Sequence, residues 1–158
     1  MIAKTENGLE RAYGQCERNN AFIKIDKESY ISYRDEALAD LESAGKEEDA
    51  RWAIVKAYQA LFHQCTSVLV KNLGVYSKDH GCLITALLKH NLISKETLEK
   101  AHTLLDHKTT LFEEIDNIRI SRNKALYFPK TQSKLGKQEA ERIIEEVREL
   151  MVVLAEVP

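Results

Sequence analysis

Few residues in this chain interrupt a helix. Only 2 prolines and 6 glycines occur among 158 residues, so long helical segments meet few breakers. No apolar run approaches the ~18 residues that span a bilayer, and the first residues, MIAKTENGLE, lack a signal-peptide core. Both absences exclude a membrane helix and point to a cytoplasmic chain. The 3 cysteines, Cys16, Cys65 and Cys82, have no metal-ligand spacing, which fits a reducing compartment. There is no glycine-rich phosphate loop, no HExxH and no serine-hydrolase elbow. Strand alternation, internal repeats and low-complexity stretches are also missing.

What is present is helical periodicity. From Arg51 to Gly74, apolar side chains recur at Trp52, Val55, Tyr58, Phe62, Cys65, Leu69 and Leu73. At 100° per residue they build one wide stripe, which Ala53, Ile54, Ala57, Leu61 and Val68 widen further. A helix apolar around most of its circumference belongs in the middle of a bundle. At 44% hydrophobic and 30% charged, the chain is an ordinary globular one, long enough for a single domain over 1–158.

Other segments supply the cover. Residues 8–22 read as a first helix, with Leu9, Ala12, Tyr13 and Cys16 on one side. Asp26 or Ser29 caps a second helix carrying Tyr30, Tyr33, Ala37 and Leu41, which Gly45 ends. A shorter helix, HGCLITALLKHN, turns Cys82, Leu83, Ala86 and Leu87 inward, with His90 at its C-terminal end. Ser94 opens a long helix, or two in line, through Leu98, Leu111, Ile115, Ile118, Arg122 and Ala125 until Pro129 stops it. After a loop over 129–136, the final helix buries Ala140, Ile143, Ile144, Val147, Leu150 and Met151. The expected fold is all-α, an antiparallel up-and-down bundle of five or six helices.

Charge is unevenly spread. Between Asn117 and Gln138 there is no acidic residue and six basic ones: Arg119, Arg122, Lys124, Lys130, Lys134 and Lys137. Subtracting that +6 from the chain's −2 leaves −8 elsewhere. Such a segment can hold a phosphate or an RNA backbone; equally, basic residues near a helix C-terminus complement the macrodipole. Arg122 stands where the 115, 118, 122, 125 series calls for an apolar residue. An always-charged guanidinium facing inward needs a partner, either a carboxylate such as Asp35 or Asp40 or a bound phosphate.

Three stretches together resemble the HEPN family of small prokaryotic helical bundles. They are KAYQALFHQCTSVLVKNLG with Tyr58, Phe62 and His63, then SKDHG at Ser77 to Gly81, then Arg122-Asn123-Lys124-Ala125-Leu126-Tyr127. The resemblance implies a homodimer with the last motif of each chain near a shared cleft. It also implies either nucleotide binding or metal-independent RNase activity, often toxin-like and paired with a small nucleotidyltransferase. In the nuclease branch the motif is an arginine, often followed by a polar residue, and a histidine four to six residues further on. Arg122 and Asn123 match, but Tyr127 stands at the histidine position and no histidine follows it. A histidine exchanges protons near neutral pH, whereas a tyrosine, with a pKa near ~10, orients a phosphate or stacks on a base. Arg122 and Tyr127 lie about 140° apart on a helix, so they meet one ligand only across a cleft or a dimer seam.

The candidate site is therefore Arg122, Asn123 and Tyr127 for chemistry, with Arg119, Arg122, Lys124, His63 and His80 for nucleotide or RNA binding. His63 also suits a packed, hydrogen-bonded position, and His80 a turn or cap. His102 and His107 are five apart and make no i, i+4 metal pair. No metal or other cofactor is expected. Three functions remain open: a nucleotide- or RNA-binding dimer working with a partner, a metal-independent endoribonuclease using Arg122, and a structural interaction module.

Overall fold

The computed structural model describes residues 5–97, 99, 100, 103 and 136–158. Helix α1 (Glu6–Arg18) begins where Thr5 Oγ1 accepts from the Gly8 amide at 3.1 Å. Strand β1 (Phe22–Lys24) and a 3-10 turn (Lys27–Ser29) lead into α2 (Tyr30–Lys46). The long α3 (Ala50–Leu73) follows, then β2 (Val75–Ser77), α4 (His80–Lys89) and, further along the chain, α5 (Lys137–Ala155). These elements make an all-α bundle with one small antiparallel ladder, Phe22 opposite Ser77 and Lys24 opposite Val75.

Helix α3 is central, as its stripe predicts. Ala57, Ala60, Leu61, Cys65, Leu69 and Val70 are fully buried, and α2, α4, α5 and β2 all pack against it. Asp49 caps its start by accepting from the amides of Arg51 at 2.9 Å and Trp52 at 3.4 Å. Gly74 ends it in the left-handed region at φ 65°, where a Cβ would also come within 3.2 Å of the Ile25 carbonyl. All six residues expected to face inward on the final helix are buried in α5, joined by Leu154.

Several expectations need correcting. Trp52 lies on the predicted stripe but is 48% exposed, because only α3 beyond its first turn is covered on that side. Gly45 does not end α2; the helix continues through Lys46 and stops where Glu47 turns extended at ψ 126°. There Glu47 accepts from the Asp49 amide at 3.3 Å and pairs with Lys56 at 2.5 Å. The first helix stops at Arg18 because residue 20 takes φ 53°, which asparagine tolerates, and residues 22–24 become the unpredicted strand. The three-residue strands are too short to show alternation.

Cys16 and Cys82, each placed on an inward face by the sequence, are joined as a disulfide across 66 residues, with Cα atoms 5.8 Å apart. No such pairing is expected from the sequence, which fits the cysteines to a reducing compartment. Cys65 stays free and buried, and burial pushes its thiol up to about 12. Among the described residues, no helix is long and apolar enough to cross a membrane. The expected helix from Ser94 starts as predicted, with Ser94 Oγ accepting from the Thr97 amide at 3.2 Å. Lys100 then reaches Glu149 of α5 at 3.8 Å. Most of the rest of that segment, and the loop after it, lie outside the described residues.

Two substitutions test this frame. The Arg51 side chain and the α3 amides hold the Asp49 carboxyl below its usual value, against a smaller opposing effect of burial. Asp49→Ala should cost about 1 kcal/mol at neutral pH. Because the folded carboxyl is depressed, that difference is full above about pH 4 and disappears as pH falls through the folded value. Urea titrations of both proteins at pH 7 and pH 3 read it directly. On the same helix, Tyr58 is 1% exposed and its hydroxyl has no hydrogen-bond partner among the described residues. Burial raises its pKa above the ordinary phenol value, and the nearby Arg142 offsets only part of this. Removing an unpaired buried hydroxyl should help, so Tyr58→Phe is expected to stabilise by about 1 kcal/mol. A lower melting temperature for the phenylalanine variant would show that the hydroxyl is satisfied.

Candidate functional site

The described part of the candidate site lies where α2, α3 and β2 meet. Asp40 falls on the face of α2 defined by Tyr33, Ala37 and Ala44, while Gln59 and His63 are one turn apart on α3. The helices lie side by side after the short 47–49 turn, and this brings Asp40 Oδ2 to 2.8 Å from His63 Nδ1. Gln59 Nε2 stands 3.0 Å from His63 Nε2 on the ring's other edge. With the Gln59 amide donating to Nε2, Nδ1–H donates to Asp40, so both ring edges are engaged. Both members of the Asp40–His63 pair keep about a fifth of their side-chain surface open, 22% and 19%.

Aromatic rings surround this network. Tyr33 lies 6.2 Å from the His63 ring and 6.4 Å from Tyr76 of β2, and Phe62 lies 6.3 Å from His63. Burial, and then Tyr76, raise the Tyr33 hydroxyl above its ordinary pKa. Further along α2, the Tyr30 ring faces Lys71 at 5.4 Å and Arg34 at 5.9 Å, within cation–π range. An oriented imidazole beside tyrosines can accept a hydrogen bond or a proton through Nε2 when Gln59 yields.

The other predicted residues are placed differently. His80 opens α4 at its first helical position. The cap it was offered belongs to Asp79, which accepts from the Cys82 amide at 2.8 Å and is itself braced by Ser77 Oγ. His90 caps the C-terminal end of α4, near the Tyr13 hydroxyl at 3.4 Å. Arg119, Arg122, Asn123, Lys124 and Tyr127 lie outside the described residues, as do His102 and His107. Of the two carboxylates offered as inward partners for Arg122, Asp35 is exposed beside Arg34 and Asp40 bonds His63. Sequence reasoning missed the Asp40–His63 pair. Its only signal was that Asp40 shares a helix face with Tyr33, Ala37 and Ala44.

Of the six basic residues in the acid-free run, Lys137 is described. It lines a cleft of about 460 Å³ with Lys46, Glu47, Glu48 and Glu141, between the α2–α3 turn and the start of α5. The acids there offset the lysines, so the cleft is not a strong anion site. Among the described residues, no three His, Cys, Asp or Glu side chains converge as metal ligands.

A bundle of this kind, wrapped around one almost wholly buried helix, defines a class of small helical domains. The HEPN domain matches residues 30–157, most of the chain, so the protein belongs to the HEPN family. Helix α1 and strand β1 precede the matched stretch. No curated protein and no solved structure matches the chain.

Proposed function

We propose that this chain is a single-domain HEPN protein that pairs with a second copy and binds a nucleotide or an RNA phosphate through its basic segment. Arg119, Arg122, Asn123, Lys124 and Tyr127 form the site, with His63 and His80 contributing. The protein acts as the accessory or toxin-like half of a pair with a small nucleotidyltransferase. The observation that carries this reading is the acid-free run of six basic residues around Arg122-Asn123, in a HEPN chain whose remaining sequence is acidic. Arg122→Ala should weaken binding of a single-stranded RNA at least tenfold without lowering stability. It should also reduce the salt slope of log K by about 0.7, the value for one lost phosphate contact on a single strand. Unchanged binding with a large loss of stability would instead make Arg122 an internally paired residue of a structural module.

One observation favours a second reading, a metal-independent endoribonuclease. Asp40 and Gln59 orient the His63 imidazole from its two edges, and an imidazole is the kind of general acid–base group that the motif lacks at Tyr127. Under this reading Arg122 stabilises the scissile phosphate while Asn123 and Tyr127 position the RNA. Cleavage of a defined RNA in EDTA by the wild type, lost in both Arg122→Ala and His63→Ala, supports it. The absence of cutting leaves the binding function alone.

A further inference from the structure

Among the described residues, the sequence stretch ahead of the family match is fastened to the bundle mainly at one point. Helix α1 packs against α4, and Cys16 is the only residue of α1 that is buried. The remaining ties among the described residues are light. Tyr13 stacks on Phe22 at 5.2 Å and meets the His90 ring edge-on at 5.4 Å, Glu10 pairs with Lys89, and β1 adds a three-residue ladder. The Cys16–Cys82 bond is the covalent element of this attachment. Its two sulfurs are not equivalent. Cys16 is 7% exposed, whereas Cys82, in the first turn of α4, is half-buried. The third cysteine, Cys65, is fully buried in α3 and cannot enter an exchange.

We propose that Cys16–Cys82 is a thiol–disulfide exchange site for a dithiol reductant, and that opening it releases α1 from α4 while the bundle stays folded. A thiolate of the dithiol attacks the more accessible Cys82 Sγ. The Cys16–Cys82 bond breaks, and Cys16 leaves as a thiolate and takes a proton. The second thiolate of the dithiol then attacks its own sulfur in the mixed disulfide. This releases Cys82 as a thiolate, which takes a proton. Two electrons pass to the protein, and the dithiol becomes a disulfide. Without the bond, one buried side chain and a few surface contacts hold α1 to the other described residues, which places it at the weakly protected end of the fold. The surface of α4 that it covers then opens to solvent.

The test is amide hydrogen exchange on the full chain, air-oxidised and after dithiothreitol, with cysteine alkylation and circular dichroism run in parallel. The expected results are no alkylated cysteine before reduction and two after it. Exchange across α1 should become at least tenfold faster, and the helical signal should fall by no more than the share of its 13 residues. A Cys16→Ser, Cys82→Ser double variant should match the reduced protein without any reductant. Three results would overturn the proposal: two reactive thiols that oxidised glutathione does not close, α1 exchange that is the same in both states, or cooperative loss of the whole helical signal on reduction. Because the wild type is compared with itself, a variant that fails to fold does not leave the question open.

Discussion

Replacing Cys82 with serine is expected to lower the free energy of unfolding by about 4 kcal/mol under oxidising conditions. The bond closes a loop of 66 residues, and tethering a loop of that length removes much of the freedom of the unfolded chain. For a protein of this size the loss corresponds to a melting temperature roughly 10 °C lower. Reductant should bring the wild type down to the variant, while the variant itself should not respond. Urea unfolding with and without dithiothreitol measures all four states. A difference below about 1 kcal/mol would mean that the unfolded chain is already compact between these residues.

Leu61→Ala is expected to cost about 4 kcal/mol, with wild-type unfolding cooperativity retained. Leu61 is fully buried in the middle of α3, which α2 and α5 both pack against. A helix held from several directions cannot shift to fill the space left by three missing carbons, so the cavity cost adds to the lost burial. Tyr58, three residues earlier on the same helix, is expected to respond with the opposite sign when only its hydroxyl is removed. The contrast separates volume from polarity: the core needs what Leu61 fills and gains nothing from the Tyr58 oxygen. A Leu61→Ala cost near 1 kcal/mol would show that the bundle collapses around the gap.

Long-period features were legible in the sequence. Helices α3 and α5 were readable because their apolar residues repeat over five or more turns, long enough for the 3.6-residue period to stand out. The strands were not, since three residues fall short of a repeat. The disulfide was hidden for another reason: inward positions for Cys16 and Cys82 say nothing about which helices meet. The same holds for Asp40 and His63, which are 23 residues apart and joined only by the docking of α2 on α3. The Arg122-Asn123 motif was legible purely as a motif, and its geometry lies outside the described residues. Trp52 shows the limit of periodicity itself, which reports a stripe but not how far along the helix the neighbours reach.

The short connection between α2 and α3 also bears on how the protein is made. Three residues separate the two helices, and the Ile25 amide meets the Gly74 carbonyl at 2.9 Å where the far ends of the pair come together. This hairpin closes through contacts near in sequence, so it can form while translation is still under way. Its partner α5 is encoded more than 60 residues later. During that interval the side of α3 destined for α5 is bare, including Tyr58 and its neighbours. A ribosome stalled before residue 137 would therefore display an apolar helix face that chaperones recognise, and the nascent chain loses that signal once residues 137–155 dock.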